Sequence, residues 1–109
     1  MAAEQGLANA QSNLGIMYDN GEGVIEDDKE AVKWYRLAAE QGFANAQYNL
    51  GAMYDTGEGV IRRNREAIKW YRLAAQQGYA LAQYNLALKY QKGEGVIEDD
   101  KESVKWYRL

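Results

Sequence analysis

Residues Ala38–Leu73 read AAEQGFANAQYNLGAMYDTGEGVIRRNREAIKWYRL, and the chain of 109 residues consists of three copies of this 36-residue unit after Met1. The copies are 2–37, 38–73 and 74–109, without insertion or remainder. Copies one and two agree at 27 of 36 positions, one and three at 26, and two and three at 22. A period of this length signals supersecondary units stacked along one axis, each burying its apolar face against its neighbours. The chain therefore reads as a single repeat domain, 1–109, whose last helix is cut short at Leu109.

Within the unit the pattern is helical throughout. In copy two, Ala46, Leu50, Met53 and Tyr54 recur at i, i+4, i+7 and i+8, which predicts an amphipathic helix over about 44–55. Copy one matches with Ala10, Leu14, Met17 and Tyr18, and copy three with Ala82, Leu86, Lys89 and Tyr90. Lys89 on an apolar stripe implies either a snorkelling side chain or a less covered face. Gly15 and Gly51 lie within these helices, where glycine costs about 1 kcal/mol relative to alanine, so a close approach at that point is expected. The turn G-E-G-V-I follows at 21–25, 57–61 and 93–97, its glycines suited to positive φ and its Val-Ile pair returning the chain to the core.

A second helix opens after the turn. Asp27 with Glu30, and Asp99 with Glu102, have capping-box spacing. Copy two replaces this with Arg62-Arg63-Asn64-Arg65, where Asn64 is the candidate cap one residue later. Ala31, Trp34, Tyr35, Ala38 and Ala39 form the buried stripe, repeated as Ala67, Trp70, Tyr71, Ala74 and Ala75. The Trp-Tyr pairs at 34–35, 70–71 and 106–107 read as core. Gly6, Gly42 and Gly78 then sit where a helix stops in a left-handed conformation. With no proline in the chain, glycines and caps must end the helices.

Composition excludes much. The chain has no Cys and no His, removing thiolate nucleophiles, disulfides, the usual general base and the commonest metal ligands. A net charge of −3 disfavours nucleic acid, and no apolar run approaches a membrane span. The start MAAEQG reads as mature helix and not as a signal peptide, so a chain expressed as written is expected in the cytoplasm. Ser12, Ser103 and Thr56 have only carboxylates and lysines as possible bases, and the reading is a non-enzyme without cofactor. Asp19 with Glu22, and Asp55 with Glu58, supply too few oxygens for a calcium loop, so no metal site is expected.

Taken together, Ala44, Ala46-Gln47, Leu50-Gly51, Met53-Tyr54, Gly57, Gly59-Val60, Ala67, Trp70-Tyr71, Ala74-Ala75 and Gly78 resemble the Sel1-like repeat, a relative of the tetratricopeptide repeat. The resemblance covers the whole chain; Arg63, Ala87 and Lys89 depart from the family's aspartate, glycine and methionine. It implies an all-α solenoid, a right-handed superhelix with first helices lining a concave face, and a role as adaptor or scaffold.

The candidate binding residues lie on the other face of the first helices. Asn9, Ser12, Asn13, Ile16 and Asn20 share it in copy one, and Asn45, Tyr48, Asn49, Ala52 and Thr56 in copy two. Copy three gives Leu81, Tyr84, Asn85, Leu88 and Lys92. Positions that vary between copies concentrate here, as expected of a surface free of inter-unit packing. Amides at Asn13, Asn45, Asn49 and Asn85, with Tyr48, Tyr84 and Leu88, suit a protein or peptide partner. The competing reading is that the tyrosines pack between repeats and the asparagines satisfy neighbouring groups. Arg62, Arg63 and Arg65 offer a weaker site for an anion or acidic partner. The ends, AAEQG without its helix and WYRL without its AAxQG, suggest a piece of a longer array, or self-association head to tail.

Overall fold

The computed structural model describes residues 2–21 and 27–92. Five helices run in chain order: α1 Ala2–Asn20, α2 Asp28–Glu40, α3 Ala44–Thr56, α4 Asn64–Gln76 and α5 Ala80–Lys92. No strand occurs among the described residues. Each helix packs on the next in sequence, α1 on α2, α2 on α3, α3 on α4 and α4 on α5. The result is an all-α solenoid. Asp99, Glu102, Trp106 and Tyr107 lie outside the described residues.

The core is the pair of predicted stripes. Ala46, Leu50, Met53 and Tyr54 are buried on α3, as are Ala67, Trp70, Tyr71, Ala74 and Ala75 on α4. On α1 the same stripe is less covered: Ala10 is exposed and Leu14, Met17 and Tyr18 are half-buried. α3 packs extensively on both α2 and α4, whereas the extensive packing of α1 is on α2. The period of a sequence cannot show how many neighbours a unit has.

Gly42 and Gly78 end α2 and α4 as expected, with φ of +90° and +88°. Phe43 N–H donates to Ala38 O at 3.2 Å and Gly42 N–H to Ala39 O at 2.9 Å, the paired bonds of a Schellman motif, repeated by Tyr79 and Gly78 at 3.2 and 2.9 Å. Gly6 does not behave this way. α1 continues through it from Ala2 to Asn20. In the later copies AAxQG closes a helix packed on its neighbours; in the first copy the segment is part of α1.

The turn glycines Gly57 and Gly59 adopt φ of +79° and +74°. A Cβ on Gly59 would meet Asp28 O at 2.4 Å, so the turn of unit two lies directly against the start of α2 in unit one. Val60 packs against the core, but Ile61 is 76% exposed and does not return to it.

The caps also differ from the sequence expectation. Asp27 caps α2, accepting from Lys29 and Glu30 N–H at 3.1 and 3.2 Å. Its own N–H goes to Tyr18 O at 2.9 Å, where a reciprocal box would engage Glu30. In unit two the N-cap is Arg63, without a side-chain cap bond, and Asn64 is the first helical residue. Arg63 N–H repeats the tie to the preceding helix, reaching Tyr54 O at 3.0 Å. That backbone bond, absent from any capping rule, holds the helix start in place.

Candidate binding face

α1, α3 and α5 are joined along the face that carries the variable residues. Ser12 Oγ donates to Asn45 Oδ1 at 2.9 Å, linking α1 to α3. Asn49 Nδ2 donates to the same oxygen at 3.1 Å, and Asn45 Nδ2 donates to Tyr79 OH at 3.1 Å. Asn85 Nδ2 donates to Tyr48 OH at 3.3 Å, linking α5 to α3. The Tyr48 ring packs between Tyr71 and Tyr79, with centroids 5.7 and 5.3 Å away.

Four of the sequence-selected residues, Asn45, Tyr48, Asn49 and Asn85, therefore take part in these bonds: Asn85 meets Tyr48 across a unit boundary, Asn45 reaches Ser12 and Tyr79 of the flanking units, and Asn49 bonds Asn45 within α3. Asn13 stands exposed on α1, Tyr84 and Leu81 are 55% and 56% exposed on α5, and Leu88 is half-buried. Ser12, Tyr48 and Tyr84 occupy one repeat position with different surroundings. Ser12 is 1% exposed and bonded to the next unit's first helix. Tyr48 is half-buried and bonded likewise. Tyr84 presents the same position outward.

The arginine cluster is exposed, but Arg62 is engaged. Its Nε donates to Asp55 O at 2.9 Å, placing positive charge at the negative end of α3. Arg63 and Arg65 remain exposed at the start of α4.

The Trp-Tyr pairs divide their roles. Tyr35 and Tyr71 are 2% and 1% exposed, and their rings fill the space left by Gly15 and Gly51. Their hydroxyls donate to Asp19 and Asp55 carboxylates at 3.2 and 3.1 Å. Burial, and then the adjacent carboxylate, push both phenol pKa values up. The neighbouring indoles carry a lysine over the ring, Lys33 at 5.2 Å from Trp34 and Lys69 at 4.9 Å from Trp70.

Lys89 resolves differently from both sequence alternatives. It is 5% exposed, and its Nζ donates to Asp55 Oδ1 at 2.5 Å and Asn64 Oδ1 at 3.1 Å. Asn64, expected as a cap, instead receives this buried ammonium.

Two recurrent contacts were not anticipated. Gln47 and Gln83 are buried, donating to Ala39 O and Ala75 O at 3.2 and 3.1 Å. Gln77 in turn donates to Gln47 Oε1 at 2.9 Å, as Gln41 does to Gln11 Oε1 at 2.5 Å. Identity of these glutamines in every copy was the available signal. Arg36 and Arg72 likewise hydrogen-bond the Tyr54 and Tyr90 hydroxyls, with guanidinium carbons 5.6 and 5.7 Å from the ring centroids.

Helix pairs repeated at a fixed period and stitched by side chains across each boundary define an α-solenoid repeat protein. The chain belongs to the Sel1 repeat family: the Sel1 repeat matches residues 8–43, 44–79 and 80–109. Similar solved structures include a Sel1 repeat protein from Oxalobacter formigenes, 44% identical over 93% of this chain, with a TM-score of 0.91. A protective antigen present in uropathogenic Escherichia coli strains, displaying an SLR fold, is 47% identical over 98% of this chain, with a TM-score of 0.92. The chain spans 42% and 23% of the lengths of those two proteins. No curated protein sequence matches it. Sel1 repeat proteins are in general scaffolds for protein–protein interaction and typically non-catalytic. Among the described residues, no helix is long and apolar enough to cross a membrane.

Proposed function

We propose that this chain is a non-catalytic scaffold that binds a protein or peptide across the face formed by α1, α3 and α5. The observation that carries the reading is the contrast between the two sides of these helices. One side is buried core on α3 and α5, while the other runs as half-buried or exposed side chains from Asn13 through Asn49 to Leu81, Tyr84 and Leu88. Amide groups of Asn45 and Asn85 already bridge to neighbouring units and Asn49 is tied to Asn45, so they serve as a preorganised floor. Contact area for a partner comes from Tyr84, Leu81 and Leu88, with Asn13 as the polar outlier.

Selection of peptides from a random display library tests this reading, comparing wild type with an Asn13→Ala, Tyr84→Ala double variant. Ile61→Ala, exposed in the turn of unit two, serves as the surface control. The expected outcome is a shared motif that binds wild type and the control and loses the double variant at least tenfold. Equal binding to all three proteins overturns the assignment of this face.

A second reading, head-to-tail stacking of copies, draws on the series Ser12, Tyr48, Tyr84. At the first two positions this residue bonds the next unit's first helix, and Tyr84 offers the same position to an incoming helix. Light scattering across concentration checks it: stacking gives a mass that rises with concentration and falls back in Tyr84→Asp. A constant monomer mass refutes it.

A further inference from the structure

The outward row of α4 runs through Arg65, Lys69 and Leu73 at i, i+4 and i+8, with Arg62 and Arg63 just before it, and all five are exposed. Residues 62–76 hold five basic side chains and one acidic, Glu66, a net charge of +4 in a chain of −3. The equivalent residues 26–40 carry −2 and 98–109 carry −1, so the positive patch is peculiar to unit two. Ile61 heads the row and is 76% exposed, more than any other large apolar side chain among the described residues.

Little of this charge is used inside the fold. Among the described residues, no carboxylate forms an ion pair with Arg62, Arg63, Arg65 or Lys69. Arg62 engages only its Nε, on Asp55 O at 2.9 Å, and Lys69 lies over the Trp70 ring at 4.9 Å. Arg72 is the exception, hydrogen-bonded to the Tyr90 hydroxyl. The charge is also unfavourable where it stands. Asp27, the counterpart of Arg63, accepts from Lys29 and Glu30 N–H at 3.1 and 3.2 Å, whereas Arg63 makes no side-chain cap bond. Cations near the positive end of a helix add to that loss. A local rule broken without a compensating contact inside the molecule is what a surface kept for a partner shows.

We propose that the outward row of α4, with Ile61, docks a short acidic segment of another protein, its carboxylates paired with Arg62, Arg63, Arg65 and Lys69 and an apolar side chain covering Ile61. Guanidinium groups take carboxylates in bidentate hydrogen bonds, and arginine beside an exposed apolar side chain suits a protein contact. From Arg65 to Leu73 the helix rises about 12 Å, which about four residues of extended chain span, so the segment is short. A phosphate backbone fits worse, because it brings no apolar group for Ile61 and meets the carboxylates of Glu58 and Glu66 on either side of the arginines in the chain. A second copy also fits worse: its Asp27 is held as the cap of α2, and its Asp28 lies beneath the Gly59 turn. The surface lies on α4 and is separate from the face of α1, α3 and α5.

The test is fluorescence anisotropy of a labelled peptide, Glu-Asp-Leu-Glu-Asp-Ile, titrated with the full chain at about 50 and about 300 mM NaCl. A Gln-Asn-Leu-Gln-Asn-Ile peptide and an oligothymidylate of equal charge serve as competing probes. The expected result is saturable binding of the acidic peptide, weaker by about fivefold or more at the higher salt, with both other probes at least tenfold weaker. Arg63→Asp, which copies Asp27, lowers the affinity at least tenfold and raises the unfolding midpoint by restoring the cap. Arg65→Gln with Lys69→Gln, both exposed, lowers it as much without moving the midpoint. Lys29→Gln with Lys33→Gln, the same positions on α2, leaves binding unchanged. No saturable binding by wild type up to about 1 mM chain at the lower salt overturns the proposal. So do equal binding of the neutral peptide or the oligothymidylate, and an affinity unchanged in both α4 variants. A midpoint lowered by Arg63→Asp assigns that arginine to the fold and overturns it as well. Light scattering covers the remaining occupant: a mass that rises with concentration and falls in Arg63→Asp gives the surface to a second copy instead.

Discussion

Replacing Gly51 by alanine sets two physical effects against each other. Position 51 is mid-helix in α3, and helix propensity alone favours alanine by about 1 kcal/mol. The added Cβ, however, would stand 2.8 and 3.0 Å from two Tyr71 ring carbons and 3.2 Å from Ala67 O. The ring has little room to give: Tyr71 is 1% exposed, lies 5.7 Å from the Tyr48 ring and donates to Asp55 at 3.1 Å. Overpacking of this kind costs about 1–3 kcal/mol, and a strained hydrogen bond to a carboxylate forfeits part of a further 1.5–3 kcal/mol. The clash wins, and Gly51→Ala is expected to destabilise by about 1–3 kcal/mol net. For a domain of this size that lowers the thermal midpoint by about 4–12 °C. Urea unfolding followed by circular dichroism measures it, with an unchanged m-value showing that the loss lies in the native state. Gly15→Ala should be at least as costly, because its Cβ would meet the Tyr35 ring at 2.6 Å. A Gly51→Ala protein as stable as wild type, or more so, would refute the claim that this glycine exists to seat the tyrosine.

Two further outcomes follow from the buried polar groups. At the Lys89–Asp55 pair, side-chain exposures of 6% and 26% make the lysine the partner harder to leave uncompensated. Asp55→Asn should therefore cost about 3 kcal/mol and Lys89→Met less, with the double variant more stable than Asp55→Asn alone in a double-mutant cycle. The tyrosines set an alkaline limit. Phenols raised by burial stay protonated in the fold after those of the unfolded chain, near pH 10, have ionised. Their stabilising effect is complete below about pH 10 and is lost as pH rises from there toward the higher folded values. Urea midpoints should fall above about pH 10. Tyr71→Phe should flatten that fall, and an unchanged slope would count against the burial argument.

The repeat, the helical stripes and the glycine stops at Gly42 and Gly78 were legible in the sequence because they depend on local rules. Side chains at i, i+4, i+7 and i+8 share a helix face whatever lies opposite, and a glycine beyond the last turn accepts positive φ without tertiary help. The variable face was also visible, as the set of positions not held constant by core packing. Its chemistry was not. Asn45 and Tyr48 bond residues 33 to 37 positions away, and a one-dimensional pattern carries no record of which unit's side chain reaches across a boundary. The same limit explains Gly6, where the same AAxQG pattern closes a helix in the later copies and lies within one in the first. It explains Lys89, whose charge is tolerated only because Asp55 and Asn64 of the preceding unit converge on it. Glu58 follows α3, and only stacking of the second unit on the first brings its carboxylate to those of Asp19 and Asp28. Sequence by itself determined the unit, its helices and the side they bury; the tertiary structure decided what meets at each boundary, because those contacts depend on how one unit is set against the next.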